Sequence, residues 1–168
     1  MKKLMETLLD LLKTILISLL IVFLLRVFVL MPVQVDGRSM DPTLKDGDRG
    51  FSFVITRKFG LERFDTVIIE NEITSGKLVK RIIGMPGETI RCTNDQIYIN
   101  GELLEQPFLE DAVTSDFEYE LQEDEYFCLG DNREVSRDSR YYGPFKGKDI
   151  TANHVFLIWP LQDFGWRK

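Results

Sequence analysis

Apolar residues follow two different patterns along this chain, and the first lies near its start. From Thr14 to Val33 almost every residue is apolar, and Arg26 is the one charge in the segment. A helix rises 1.5 Å per residue, so about twenty residues span roughly 30 Å, the thickness of bilayer hydrocarbon. A cleaved secretory signal would be shorter and would end in a small-residue cleavage site, which is not seen here. The pattern therefore predicts one uncleaved transmembrane helix.

The charges around this segment predict its orientation. Lys2, Lys3 and Lys13 precede the apolar core, and positive charge is retained on the cytoplasmic side of membranes. We therefore expect residues 1–33 to form a cytoplasmic N-terminus and a single-pass plasma-membrane anchor, with lipids as partners. Residues 34–168 are expected to form an extracytoplasmic domain.

The second pattern begins after Pro32 and consists of short runs rich in β-branched and aromatic residues, which favour strands. The runs are Phe51–Thr56, Thr66–Glu70, Leu78–Ile83, Thr89–Cys92, Ile97–Asn100, Tyr126–Leu129 and His154–Trp159. Asn100-Gly101 is a two-residue hairpin signal. Short strands at close spacing predict a mainly β domain, an antiparallel barrel or sandwich. We interpret the acidic segment Glu105–Glu125 as an irregular surface excursion.

Composition narrows the classes of function. The net charge of −6 lacks the basic footprint of nucleic-acid-binding proteins, so no nucleic acid is expected as a partner. Cys92, Cys128 and the single histidine, His154, do not make a zinc ligand set. A structural zinc site is therefore not expected, while a carboxylate site for another metal stays open from composition. The cysteines are expected to pack as small hydrophobic side chains, and a disulfide between them stays an alternative. His154 is interpreted as structural.

Lys80 is a candidate general base. Strand alternation places it between Leu78 and Ile82 on one face, where loss of hydration disfavours the ammonium and lowers the pKa. An ordinary lysine is only about 0.1% neutral at pH 7.4. A position in solvent at a sheet edge is an equal alternative from periodicity alone.

Two polar segments contain candidate serines. Gly37-Arg38-Ser39-Met40-Asp41-Pro42-Thr43 places Ser39 in a turn just beyond the apolar helix, where a capping role is the commoner one. Gly130 to Arg140 is a polar loop that directly follows an apolar strand. Such a loop on a rigid sheet is either functional or a solvated connection with exposed ion pairs.

Together these segments resemble the bacterial type I signal peptidases. Ser39–Leu44 is similar to the nucleophile box of that family, Lys80–Glu88 to its general-base box, and Gly130–Arg140 to its last box. Their order, their spacing and the N-terminal anchor agree, and the resemblance covers essentially the whole chain. Its length is that of a minimal Gram-positive-type enzyme, with the β-rich catalytic core of that family.

The resemblance implies a role for each matching residue. Ser39 would be the nucleophile, Lys80 its general base and Ser136 the hydroxyl that orients the lysine. Asp138 and Arg140 would form an ion pair that braces the loop, and Arg81 would be a buried arginine facing Asp131. The residues that would line the substrate subsites are Val33, Val35 and Met40.

The implied activity is a serine endopeptidase that removes signal peptides from preproteins after Ala-X-Ala, through an acyl-enzyme. The resemblance implies no metal and no cofactor. A self-cleaving repressor relative would lack the anchor. The alternative from another class is a non-catalytic assembly factor that binds pilin or another exported protein, for example in building surface pili, without cutting it.

Three residues depart from the family pattern. Gly37 stands where some members have a serine that assists the oxyanion, Arg38 is a bulky charge beside the nucleophile, and Phe64 replaces a glycine. We expect Arg38, Phe64 and the acidic segment to tune substrate choice.

Overall fold

The N-terminal apolar segment forms one long helix, α1 (Lys2–Phe28). The structure, a computed structural model, describes residues 2–54, 60–74, 76–109 and 112–167. The side chain of Arg26 is not among those described. The end of the predicted strand Phe51–Thr56 also lies outside the described residues. Within the described chain, α1 contains the one helical stretch long and apolar enough to cross a membrane, Lys3–Leu25. Its apolar side chains through Leu25 are exposed, and its length and composition fit the predicted anchor. The predicted helix extended to Val33, but α1 ends at Phe28, and residues 30–33 lie in a strand instead.

The remainder is mainly antiparallel β, as predicted, and it forms two sheets. The bounds of the larger sheet, in spatial order, are β1 (Leu30–Gln34), β2 (Arg49–Phe53), β11 (Ile150–Trp159), β3 (Thr66–Ile69), β4 (Leu78–Gly84), β9 (Glu125–Leu129) and β10 (Phe145–Lys146), with β12 (Gly165–Arg167) paired to β11. The smaller sheet has the order β7 (Glu102–Leu103), β6 (Gln96–Ile99), β5 (Thr89–Thr93) and β8 (Phe117–Glu120). A short helix, α2 (Ser139–Tyr142), follows the polar loop.

Buried side chains form three apolar clusters that hold these sheets. One packs the smaller sheet against β4 and β9, and another lies around Ile82 and Cys128 of the larger sheet. The third joins the turn after β1 to strand β11 through Met40, Leu44 and Val155. The polar turn that contains Ser39 is thereby fixed to the sheet that contains Lys80.

Local signals in the sequence explain most of the strands. The hairpin predicted at Asn100-Gly101 joins β6 to β7, and both residues have positive φ, 51° and 88°, as a type I′ turn requires. Both cysteines are free and buried, as expected of small apolar side chains.

The interpretation of Glu105–Glu125 as irregular is wrong in its second half. Strand β8 lies there and pairs with β5. Phe117 and Tyr119 point toward the core while Glu118 and Glu120 face solvent. This alternation of two is a strand signal, which the acidic composition of the segment concealed.

Candidate active site

Ser39 lies in the turn between β1 and β2, and buried neighbours hold it in place. Met40 and Leu44 are buried in the third cluster, and the Leu44 N–H donates to the Met40 carbonyl at 2.9 Å. The Asn132 N–H donates to the Ser39 carbonyl at 3.1 Å. These contacts fix the backbone of Ser39, whose side chain is partly exposed.

Lys80 is buried, with 2% of its surface exposed. Its Nζ donates to Ser39 Oγ at 2.8 Å and to the Val79 carbonyl at 2.8 Å. Burial lowers the pKa of Lys80 from 10.5 to about 8, against the opposing effects of Asp138, Cys128 and Asp131. Loss of hydration therefore outweighs the nearby negative groups. At the same distance, a neutral Nζ can accept the hydroxyl proton of Ser39.

Asp138 and Arg140 brace the polar loop from inside. The Asp138 carboxylate is fully buried and accepts from Arg140 Nε at 2.9 Å and Nη2 at 2.8 Å. It also accepts from the Gly130 N–H at 3.0 Å. Arg140 Nη2 donates further to the Arg133 carbonyl at 2.7 Å. The pair thus ties the start of the loop to its end.

Ser136 lies beside the nucleophile turn without the contact that the resemblance implied. Its Oγ is buried and has no hydrogen-bond partner among the described residues, so the Lys80 amine does not donate to it here. A Cβ at Gly130 would collide with Ser136 Oγ and with the Ser39 carbonyl oxygen. Glycine at position 130 therefore allows both serines to approach the end of β9.

Arg81, on the strand face opposite Lys80, forms a buried ion pair with Asp131. Its Nε and Nη2 donate to the two carboxylate oxygens of Asp131 at 2.8 and 2.7 Å. Arg81 Nη1 donates to the Phe64 carbonyl at 2.8 Å. Bidentate geometry and exclusion of water make this pair strong, and costly to break.

The three residues expected to line substrate subsites lie on one apolar surface beside Ser39. Val35 and Met40 are buried in the third cluster, and Val33 packs against it with Val79. The shared surface is formed by short aliphatic chains and one methionine.

The single histidine lies apart from this arrangement. His154 Nε2 is 3.0 Å from Asp65 Oδ1, and its ring lies edge-on to Trp166 at 6.4 Å. These contacts agree with the structural role that was expected of His154 from the sequence. No group of three or more His, Cys, Asp or Glu side chains that could hold a metal ion occurs among the described residues.

The departures from the family pattern have local explanations. Phe64 has a φ of 73°, a left-handed conformation that favours glycine, and its ring contacts Phe108 at 5.1 Å. Arg38 is largely exposed and pairs with Asp41 at 3.0 Å. Gly37 has a φ of 92°, and its N–H donates to Asp46 at 2.8 Å.

Arg133 and Phe108 also contact the site, and neither is among the candidate residues predicted from sequence. Arg133 is buried beneath the polar loop, and the Phe108 ring lies over the Arg81 guanidinium, 4.2 Å from it. Arg133 belongs to the Gly130-Asp131-Asn132-Arg133 motif, so a signal existed for it. Phe108 lies in the segment that was interpreted as a surface excursion.

The chain is similar to signal peptidases in both sequence and structure. It matches the family described as Signal peptidase, peptidase S26, over residues 8–159. It is 36% identical over 164 residues to signal peptidase I of Bacillus licheniformis, covering 90% of this chain and 88% of that protein. It is 34% identical over 181 residues to signal peptidase I of Streptococcus pneumoniae, covering 83% and 87%. A crystal structure of a signal peptidase I from Enterococcus faecalis matches with a TM-score of 0.50 and 31% identity, over 56% of this chain and 96% of that one.

Proposed function

This chain belongs to the signal peptidase family, peptidase S26, and we propose that it cleaves signal peptides from exported preproteins after Ala-X-Ala with Ser39 as nucleophile. The observation that supports this most directly is the hydrogen bond of 2.8 Å between Lys80 Nζ and Ser39 Oγ. A buried lysine beside a serine hydroxyl provides the base that a serine nucleophile needs, without a histidine.

In the proposed reaction, neutral Lys80 takes the proton of Ser39 as Oγ forms a bond to the scissile carbonyl carbon. The carbon–nitrogen bond then breaks, and the Lys80 ammonium returns the proton to the departing amine. The product is an ester of Ser39 with the signal peptide. Water, deprotonated by Lys80, then attacks the carbonyl carbon of this ester. The bond from that carbon to Ser39 Oγ breaks, the Lys80 ammonium returns the proton to Oγ, and the signal peptide leaves with a new C-terminal carboxyl group.

Backbone N–H groups are the proposed stabilisers of the developing oxyanion. Within the described residues the Ser39 N–H makes no hydrogen bond, so it is available to a substrate. Gly37 has no side chain to contribute a second donor, unlike the serine of some relatives. Each such donor is typically worth about 10² to 10³ in rate.

The proposed substrate surface includes Val33, Val35 and Met40. Strand β1 is at the end of the larger sheet, and an edge strand can pair with an extended peptide. A substrate lying along β1 would present alternate side chains to Val33 and Val35. This explains why small residues would be required at two positions separated by one.

Membrane attachment is the second part of the proposal, with α1 as the anchor and the chain from β1 onward as the extracytoplasmic peptidase domain. Lys2, Lys3 and Lys13, which precede the apolar core of α1, support a cytoplasmic N-terminus. Trp159, Leu161, Phe164 and Trp166 are exposed around β12, and tryptophans beside aliphatic groups suit a lipid interface. Anchoring would hold the site at the depth where substrate signal peptides leave the bilayer.

A cleavage assay tests this function. Detergent-solubilised enzyme is mixed with a preprotein that has an Ala-X-Ala site, and Ser39→Ala serves as the blank. We expect cleavage at that site by the wild type alone. No cleavage of several preproteins by folded wild type in lipid would contradict the proposal and favour the non-catalytic assembly factor, which has no support among the relatives named above.

The rate of cleavage should rise with pH. Only the neutral form of Lys80 accepts the serine proton, and the pKa of Lys80 is lowered to about 8. We therefore expect kcat/KM to increase about a hundredfold between pH 6 and pH 9 and then to level. A substrate without groups that titrate in this range, with a thermal melt at each pH, isolates the effect. A flat profile would contradict Lys80 as the base.

A further inference from the structure

A segment of the acidic region is fastened onto the active-site loop. We name residues 104–109 and 112–114 the strap. It is held at two places: Gln106 and Thr114 contact Arg133 in the loop that follows β9, and Phe108 contacts Arg81 of β4. Both contacts reach buried arginines, which is unlike a solvated surface excursion.

The first contact is with Arg133, which is buried with 4% exposed. Its Nε donates to the Gly130 carbonyl at 3.0 Å, inside the loop. Its other nitrogens donate to the strap, to Thr114 Oγ1 at 3.2 Å and to the side-chain oxygen of Gln106. A buried guanidinium needs such acceptors. The strap therefore supplies what keeps Arg133 folded against Gly130.

The second contact is with the ion pair of Arg81 and Asp131. The Phe108 ring lies over the Arg81 guanidinium, 4.2 Å from it, and meets the Phe64 ring edge-on at 5.1 Å. An aromatic face attracts a cation and excludes water from it. The pair stays dry because Phe108 covers it.

Asp131 transmits this contact to the nucleophile. The adjacent Asn132 N–H donates to the Ser39 carbonyl at 3.1 Å. A continuous set of contacts thus runs from Phe108 through Arg81 and Asp131 to the turn that presents Ser39. We propose that the strap positions the Ser39–Lys80 pair and that Phe108 is a positioning residue for the reaction, an inference that rests on the proposed function.

Lys80 provides the readout, because its ionisation depends on how dry the site is. The titratable or charged groups that act on it are Asp138, Cys128 and Asp131, and all three raise its pKa against the larger effect of burial. Lys80 lies on the other face of β4 from Arg81, so the ring of Phe108 acts on it through the loop. Without the ring, the Asp131–Asn132 segment would hold the Ser39 turn less firmly, and that turn, which contacts Lys80, would admit water to the amine. Less desolvation would then let the pKa of Lys80 rise.

The test is Phe108→Ala, with the pH profile of cleavage as its measurement. We expect the midpoint to move to higher pH, far enough to lower kcat about fourfold at pH 7.5. KM should change less than twofold, and the two enzymes should converge above pH 9.5. Phe108→Tyr keeps the ring over Arg81 and should restore the wild-type midpoint.

Phe117→Ala is the matched control. Phe117 lies in the same acidic region and stacks on Phe127 at 4.8 Å, but it belongs to the smaller sheet. Its loss removes a similar ring from the core, so it should lower stability and leave the midpoint unchanged. A Phe108→Ala profile that is scaled down with the same midpoint would overturn the inference. If that variant does not fold, Phe108→Leu decides by the same criterion.

A second readout separates this inference from the proposed function. The pKa of Lys80 can be measured without any substrate by ¹³C NMR of its Cε, with Lys80→Met to assign the signal. A higher midpoint in Phe108→Ala supports the strap even if no preprotein is cleaved. Cleavage by the wild type with identical NMR midpoints in both proteins would overturn the strap alone.

Discussion

Lys80→Met is expected to abolish cleavage while the protein stays folded. Methionine is similar to lysine in length but has no group that can accept the Ser39 proton. Loss of a nucleophile or its base lowers kcat by about 10⁴-fold or more in serine proteases. The measurement is cleavage of the Ala-X-Ala preprotein over a range of enzyme concentrations wide enough to detect that ratio.

The fold should tolerate this change because Lys80 occupies a dry site. The amine is buried with 2% exposed, and its hydration is not replaced by a carboxylate in direct contact. The stability gained by removing a desolvated amine offsets the stability lost with its two hydrogen bonds. We expect a melting temperature no lower than that of the wild type.

Lys77→Met is the matched control for this prediction. Lys77 precedes the same strand, is half exposed and lies 3.6 Å from Glu70. Exposed pairs contribute little, so this variant should keep both activity and stability. A folded Lys80→Met enzyme that retains more than about 1% of the rate would mean that another group is the base.

The strands were predictable from sequence because their signals are local. Alternation of two, β-branched residues and the Asn100-Gly101 turn need no tertiary information. Strand β8 was missed because its Phe117 and Tyr119 alternate with glutamates inside an acidic segment. The acidic composition of that segment favoured an irregular structure, while the alternation of aromatic and acidic residues correctly indicated a strand.

The candidate site was predictable only as separate segments. Ser39 and Lys80 are far apart in sequence, and only the sheet brings the nucleophile turn over strand β4. Periodicity predicts a buried and an exposed Lys80 equally well. Alternation assigns the residue to one face of the strand and does not say which face is buried. The contact of Phe108 with Arg81 depends on loop geometry, for which the sequence has no short-range signal.

Phe64 shows how a departure from a pattern gains meaning from the backbone. Its φ of 73° is a conformation that glycine adopts most readily, which fits the glycine that the family resemblance implies at this position. A phenylalanine is kept in that conformation here while its ring packs on Phe108 and its carbonyl accepts from Arg81. The substitution and the strap therefore belong to one packing arrangement around the ion pair.

Breaking the ion pair of Arg81 and Asp131 is expected to have the largest effect on stability. Arg81→Leu would leave the Asp131 carboxylate buried without its main partner, and Asp131→Leu would do the same to the guanidinium. Removing one partner of a buried pair typically costs about 3–5 kcal/mol. For a domain of this size that corresponds to a fall in melting temperature of roughly 10 °C. Near-UV circular dichroism during heating measures it.

The double variant Arg81→Leu/Asp131→Leu separates the two possible origins of this loss. If unpaired charge is the cause, removing both groups should recover about half or more of the stability, because no desolvated ion remains. The partly exposed pair of Arg63 and Glu88, at 2.6 Å, is the control, and breaking it should cost less. Equal losses in the single and double variants would mean that the packing of Arg81 beneath Phe108, and not its charge, stabilises the active-site loop.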